Sequence, residues 1–450
     1  MSSIVLRSDA LPSAVRSGVF DGVLQRAGRT LIATAVAKLR HGFVEIVEHE
    51  DVVASGGNRA DASLPHVRVE VRSPRFFTSA CFGGGVGLAE AYLDGLWTCD
   101  DLAGLIHVLT VNYAALTSLD STMSRVLEPL DRARYWCSRN TRRGSRRNIV
   151  AHYDLSNEFF GLFLDPSMSY SCGVFRPGAT PSAESLEEAQ VEKIDRACRK
   201  LELREEHELL EIGTGWGAFA IHAARHYGCR VTTTTISDEQ HAMVKRRIER
   251  AGLADRITLL KMDYRDLPSL SRTFDRVVSI EMIEAVGSAN LDAYFRVCSS
   301  MLQADGAMLL QAIVIRDQFY ERAARRVDFL KKYIFPGSCL PSVAAMLRAT
   351  TRSTDLRLWH CEDFAPDYAM TLRIWRERFF ENVAKVKSLG FDDRFVRLWE
   401  YYLAYCEGAF RARHVGDVQM LLTKPRATLA PTDATVLAYR GFEAGRWEEP

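Results

Sequence analysis

Three glycines at alternate positions, Gly213, Gly215 and Gly217, follow the apolar run Glu208-Leu-Leu-Glu-Ile212 and precede a small-residue helical pattern up to Ala224. Glycine at such a strand-to-helix turn clears side chains away, so a ligand can lie on bare backbone at the N-terminus of the next helix. The G-x-G-x-G spacing lacks the third-glycine register of the dinucleotide fingerprint, which argues against NAD and toward the adenosyl group of S-adenosylmethionine. A glycine-rich turn that only packs a helix on a strand is the competing account. In an open doubly wound sheet, ligands bind beyond the carboxyl ends of the strands. By that rule Glu284, in the stretch Glu281-Met-Ile-Glu-Ala-Val-Gly287, and Gln311, in Leu310-Gln-Ala-Ile313, approach the reactive end of the cofactor. Glu284 could instead be a helix-start carboxylate favoured by the macrodipole. Gln311 sits on an apolar strand, where a buried amide needs partners. Adenine and ribose are expected against Thr235, Ile236, Gln240 and the turn Asp263-Tyr264-Arg265, with loop packing the alternative for each.

The elements that must position these groups read as strands at Arg230 to Ile236, Ile257 to Met262, Phe274 to Ile280 and Ala307 to Ile315, with helical patterns between them. Strands alternating with helices predict an α/β, doubly wound, mostly parallel sheet. Ser185-Leu-Glu-Glu188 has capping-box spacing, and Val191, Ile194, Cys198 and Leu201 follow on one helical face. Val418 to Thr423 looks like a late strand returning to the sheet. The long aromatic and helical stretch before it, around 318–413, is expected to cover the cleft. Upstream, period-two alternation at Phe43 to Val47 and Val67 to Arg72 predicts strands, and Ala54 to Asp61 reads as a turn or exposed loop. Leu31 to Leu39 is an apolar helix or strand, and Gly83 to Trp97 passes from flexible backbone into a helix. The expected division is a smaller α+β N-terminal domain over 1–130, open to a lipid or dimer contact, a basic linker over 131–150, the catalytic domain over 151–430 and a tail over 431–450.

With 450 residues, 47% of them apolar, the chain can bury two cores. A net charge of +1 predicts neither a nucleic-acid binder nor an acidic tail. The ten cysteines show no C-x-x-C pair or zinc-like spacing, so no metal is expected. No signal-peptide core opens the chain and no apolar run reaches the ~20 residues that span a bilayer, so the expectation is a cytoplasmic protein with at most peripheral membrane contact. One block is strongly charged: Arg132, Arg134, Arg139, Arg142, Arg143, Arg146 and Arg147, interleaved with Tyr135 and Trp136. It could lie on anionic phospholipid headgroups, each cation contributing on the order of 1 kcal/mol, or be a solvated linker.

His152-Tyr-Asp-Leu-Ser-Asn-Glu-Phe-Phe160, Leu164-Asp-Pro-Ser-Met-Ser-Tyr-Ser-Cys172, Gly213-Thr-Gly-Trp-Gly217, Glu284-Ala-Val-Gly287, Tyr333-Ile-Phe-Pro336 and Gly408-Ala-Phe-Arg-Ala-Arg413 together resemble the cyclopropane fatty acid synthase family of S-adenosylmethionine-dependent methyltransferases. The resemblance implies a Rossmann-like methyltransferase sheet and transfer of the sulfonium methyl to a cis double bond in an acyl chain of a membrane phospholipid. The resulting carbocation would be deprotonated to a cyclopropane by a bound bicarbonate. In the family that anion is held by positions that fall here on Cys172, Glu284, Gln311, Ile313 and Tyr368, with Gln311 replacing the usual histidine. Tyr170 and Ser171 are expected at the methionine moiety. For Cys172 the plain alternative is a small buried hydrophobe, and for Tyr368 core packing. Methylene or methyl branching, methylation of a small amine, and a lipid-binding protein without turnover are the rival functions. The resemblance also places the protein at the inner membrane face and leaves a homodimer open.

Overall fold

The computed structural model describes residues 18–120 and 155–440. The arginine block from Arg132 to Arg147, and His152, Tyr153 and Asp154 of the first motif, lie outside the described residues.

The N-terminal sheet consists of β1 (Phe43–Glu48), β2 (Asp51–Gly57), β3 (His66–Val71) and β4 (Trp97–Cys99), in the order β2-β1-β3-β4. β1 and β3 run parallel and the other pairs antiparallel. Along β3, Val67, Val69 and Val71 are buried while the residues between them are exposed, the alternation that a half-covered strand imposes. β2 corrects the turn expected from Ala54: Ala54 to Gly57 pair with β1, and the loop begins only after them. Two glycines make this possible at close quarters. A Cβ on Gly56 would stand 2.0 Å from the Val36 carbonyl oxygen, and Gly57 takes a φ of 106°. Leu31 falls in the helix Gly18–Val36. The helix Arg75–Leu93 is broken at Gly84, whose φ of 54° and ψ of −143° are outside the helical region.

The larger sheet consists of β5 (Glu208–Ile212), β6 (Arg230–Thr235), β7 (Ile257–Lys261), β8 (Phe274–Ile280), β9 (Leu302–Ile315), β10 (Arg357–Asp363) and β11 (Val415–Thr423), in the order β10-β11-β9-β8-β5-β6-β7. β5 to β9 are parallel, and β11 runs antiparallel between β9 and β10. Neighbouring residues of β5 serve opposite layers. Leu209 packs with Ile194, Ala220 and Val244 on one face, and Leu210 with Phe295 and Met346 on the other. This is the doubly wound fold. The chain leaves β5 for β6 and β7, then returns to β8 on the other side of β5, so the crevice at their carboxyl ends is the switch point where such sheets bind ligands.

The helix before β5 runs Ala183–Lys200 and is capped by Ser182, whose side chain and that of Ser185 satisfy each other's backbone N–H. The capping box thus starts three residues earlier than the spacing at Ser185 suggests. The cover between β9 and β11 is mostly helical, but β10 lies within it. Its two long helices, Ala365–Glu381 and Asp393–Arg411, pack together, and the second also lies on the N-terminal helix Leu102–Val111.

Candidate active site

At the switch point a cavity of about 500 Å³ opens between the carboxyl ends of the parallel strands and the cover. Gly213 and Gly215 form one wall in left-handed conformations, with φ of 95° and 52°. A Cβ on Gly215 would meet nothing within 4 Å, so this backbone faces open space that only a ligand would contest. Gly217 is outside the wall. It begins the helix Ala218–Tyr227 at φ 89°, and its missing Cβ admits Val244, which would be 3.1 Å away. Thr235, Ile236, Gln240, Tyr264 and Arg265 line the same end of the cavity. The Thr235 hydroxyl donates to Gln240 Oε1 at 2.9 Å, and Arg265 forks onto Asp263 at 2.8 and 2.6 Å. Tyr170 and Ser171 border the cavity from the other side, with the Tyr170 and Tyr402 hydroxyls 2.7 Å apart and Lys193 Nζ donating to Ser171 Oγ at 2.7 Å. A bare glycine turn at a helix N-terminus, flanked by polar strand ends, fits the nucleoside and amino-acid ends of S-adenosylmethionine.

Two carboxyl groups stand at the end of β8. Glu284 Oε1 accepts from the Ile313 backbone N–H at 2.6 Å, and its Oε2 has no hydrogen-bond partner among the described residues. Burial, and then the neighbouring Glu281, push its pKa up to about 8. Glu281 is the first residue beyond β8 and holds a left-handed φ of 48°. Its Oε1 accepts from the Cys172 backbone N–H at 2.8 Å and from Gln311 Nε2 at 2.9 Å, and its Oε2 from the Tyr368 hydroxyl at 2.6 Å. Burial raises its pKa, opposed by those donors and by the Lys193 charge. Gln311 Nε2 also donates to Asp417 Oδ2 at 2.8 Å. Asp417 is fully buried, and burial followed by the two glutamates drives its pKa well up.

A relay fixes which way the Gln311 amide points. Lys200 Nζ donates to Gln419 Oε1 at 2.8 Å, so the other end of that amide, Nε2, meets Gln311 Oε1 at 3.0 Å. The Gln311 NH₂ must then face the acids. Ammonium groups cannot accept hydrogen bonds, so the lysine sets the orientation of both amides.

Of the residues expected to hold an anion, Glu284, Ile313 and Tyr368 line the cavity, while Cys172 and Gln311 stand one layer behind it. The Cys172 thiol turns away, 3.0 Å from the Gly173 carbonyl oxygen, and burial pushes its pKa well up, so only its backbone N–H serves the site. The bicarbonate expectation meets an occupied position. The Cys172 N–H, the Gln311 amide and the Tyr368 hydroxyl already converge on the Glu281 carboxylate, and the Ile313 N–H on Glu284. A further anion would find these donors engaged and two carboxyl groups beside it. These residues do not fit a bound bicarbonate.

Glu281, Lys193, Asp417 and Gln419 are site residues that sequence reasoning missed. The signal for Glu281 was available: it is the strand-end residue itself, three positions before the glutamate that was chosen. Nothing in the apolar pattern around Asp417 pointed to the cavity, because β11 comes from far along the chain.

Comparison with known proteins follows the same geography. The mycolic acid cyclopropane synthetase family matches residues 140–420. The tuberculostearic acid methyltransferase UfaA1 of Mycobacterium tuberculosis is 36% identical over 344 residues, covering 76% of this chain and 79% of that protein. The cyclopropane-fatty-acyl-phospholipid synthase of Escherichia coli K12 is 34% identical over 392 residues, covering 84% of this chain and 92% of its own. Among solved structures, the mycolic acid cyclopropane synthase CmaA1 complexed with SAH and CTAB superposes with a TM-score of 0.57 at 31% identity, over 62% of this chain and 98% of that one.

Proposed function

The chain belongs to the mycolic acid cyclopropane synthetase family and is an S-adenosylmethionine-dependent methyltransferase acting on unsaturated lipids; from that premise we propose that it alkylates the cis double bond of a fatty acyl chain in a membrane phospholipid and closes a cyclopropane ring. The observation that carries this reading is a continuous cavity that joins the glycine turn to an apolar wall with Leu330, Phe335, Leu340, Leu372 and Phe410. Bound S-adenosylmethionine supplies an electrophilic methyl group. The protein's residues do the rest. The backbone at Gly213 and Gly215 and the polar strand ends hold the donor, and the apolar wall takes the acyl chain and excludes water from the cationic stage. The rings of Tyr170, Tyr368 and Tyr402, together with the Glu281 carboxylate, supply the negative potential that positive charge on the chain requires.

The similarity to a tuberculostearic acid methyltransferase favours a second product from the same alkylation, a methylene branch, which becomes a methyl branch only if a separate hydride donor reduces it. Labelled S-adenosylmethionine incubated with vesicles of an unsaturated phospholipid tests both. The expected product gains one CH₂ and resists ozonolysis at the former double bond, whereas a methylene branch is cleaved. Label appearing only in added small amines, or no transfer to lipid, overturns the proposal. The reading includes peripheral contact with the anionic inner face of the membrane through the arginine block and a cytoplasmic location, and leaves a homodimer open. Among the described residues no helix is long and apolar enough to cross a membrane.

A further inference from the structure

We propose that the carboxylate of Glu281 is the base of this reaction, a built-in replacement for a bound anion. The inference rests on the acyl-chain reading above and on four features of the site. First, Glu281 lines the cavity at the end of β8, beside the wall that would hold the alkene. Second, it does so at φ 48°, a backbone conformation that glycine adopts freely and that costs an L-residue on the order of 1 kcal/mol. A side chain kept there against that cost has a task the backbone does not. Third, three donors from separate elements converge on it: the Cys172 N–H, the Gln311 amide and the Tyr368 hydroxyl. Fourth, the Gln311 amide is locked toward it by the relay from Lys200 through Gln419, all of whose members are buried.

Geometry leaves one oxygen suited to the task. Oε1 already accepts two hydrogen bonds and Oε2 only one, so Oε2 retains a lone pair for a proton. Once the methyl is on the chain, one of its C–H bonds breaks. The proton goes to Glu281 Oε2, and the C–H electron pair forms the bond to the cationic carbon that closes the ring. Glu281 is left as a neutral acid and returns its proton to solvent after the product leaves. No co-reactant is needed.

The experiment compares the wild type with Glu281→Gly and Glu281→Gln in carbon-dioxide-free buffer, with and without added bicarbonate. Lipid product, cofactor affinity and bicarbonate binding by calorimetry are read for each. Glycine suits φ 48°, so the first variant should fold. The wild type is expected to turn over equally in both buffers and to bind no bicarbonate. Both variants should lose at least about 100-fold in turnover without bicarbonate, the loss typical of removing a general base, while cofactor affinity changes by less than about threefold. Glu281→Gly should bind bicarbonate among the vacated donors and recover turnover with it; Glu281→Gln, whose amide fills the space, should do neither. A wild type that slows when bicarbonate is stripped, or a Glu281→Gln variant that keeps full turnover, overturns the assignment alone. A wild type that transfers no methyl to any acyl chain overturns the functional reading and this one with it.

Discussion

Glu284 holds a proton that the unfolded chain would give up. Its pKa in the fold is about 8, raised first by burial and then by Glu281, so between the ordinary carboxylate range and about pH 8 the folded state binds more protons than the unfolded one. Stability from this group therefore falls as pH rises through that window and levels off above it. Glu284→Gln removes the titration while keeping the shape. In thermal unfolding scans, the Tm of the variant relative to the wild type should climb from pH 5 to about pH 8 and then stay flat; a constant offset would mean that Glu284 ionises at its ordinary pKa. At neutral pH the same variant should lose about tenfold or more in kcat with little change in cofactor affinity, because Glu284 lines the cavity and its carboxyl group is hydrogen-bonded to the Ile313 backbone rather than to the glycine turn. Chain position alone made Glu284 legible in the sequence, since strand ends face the crevice in this fold. The same argument applies to Glu281, the first residue beyond β8, but strand position alone does not separate it from Glu284. The meaning of Glu281 lies in partners from positions 172, 311 and 368, and no local pattern reports such a convergence. The Gln311 departure makes sense only beside Gln419 and Lys200, for the same reason.

Among the elements, the helix Asp393–Arg411 does most to define the site. Phe410 stacks obliquely on Tyr368 with ring centroids 4.4 Å apart, and Glu407 is buried between Arg376 and Arg411. Gly408 explains the first residue of the Gly408-Ala-Phe-Arg-Ala-Arg413 motif as packing. A Cβ there would stand 2.6 Å from the Ala103 carbonyl oxygen and 2.7 Å from Ile106 Cβ, so the helix can lie on Leu102–Val111 only without a side chain at this point. Gly408→Val should cost about 1–3 kcal/mol, read as a lowered denaturation midpoint, and should also reduce lipid turnover as the cover lifts. An unchanged midpoint would show that the two helices part freely. The parallel strands were legible because buried runs alternate with amphipathic helices at regular spacing. β10 was not: all seven of its residues are exposed or only half-covered, a pattern that follows from its place at the sheet edge and leaves no apolar signature. β2 was hidden in a different way, by glycines that serve close backbone approach and read as a loop.

At the scale of the whole molecule, a net charge of +1 conceals a local surplus in the arginine block. If Arg142, Arg143, Arg146 and Arg147 meet anionic headgroups, reversing their charge should weaken binding to anionic vesicles steeply at low salt and hardly at high salt, since screening shortens the reach of each charge to a few ångströms. Sedimentation with vesicles of graded anionic content checks this; binding indifferent to charge and salt would leave the block as a linker. The two sheets on either side of that block are bound to each other directly. Tyr113 of the N-terminal part lines the cavity and meets Phe319 and His414 edge to face or obliquely, with centroids 5.6 and 5.7 Å away. Tyr92 lies against Tyr401, Arg397 donates to the Leu93 carbonyl at 3.2 Å, and Lys332 and Tyr333 share Glu90. Among the described residues, cohesion between the halves comes from this seam. Expressed as separate pieces cut within the basic stretch, the halves should find each other and complement in trans, while the catalytic piece alone would be left with a breach in its lipid pocket where Tyr113 belongs.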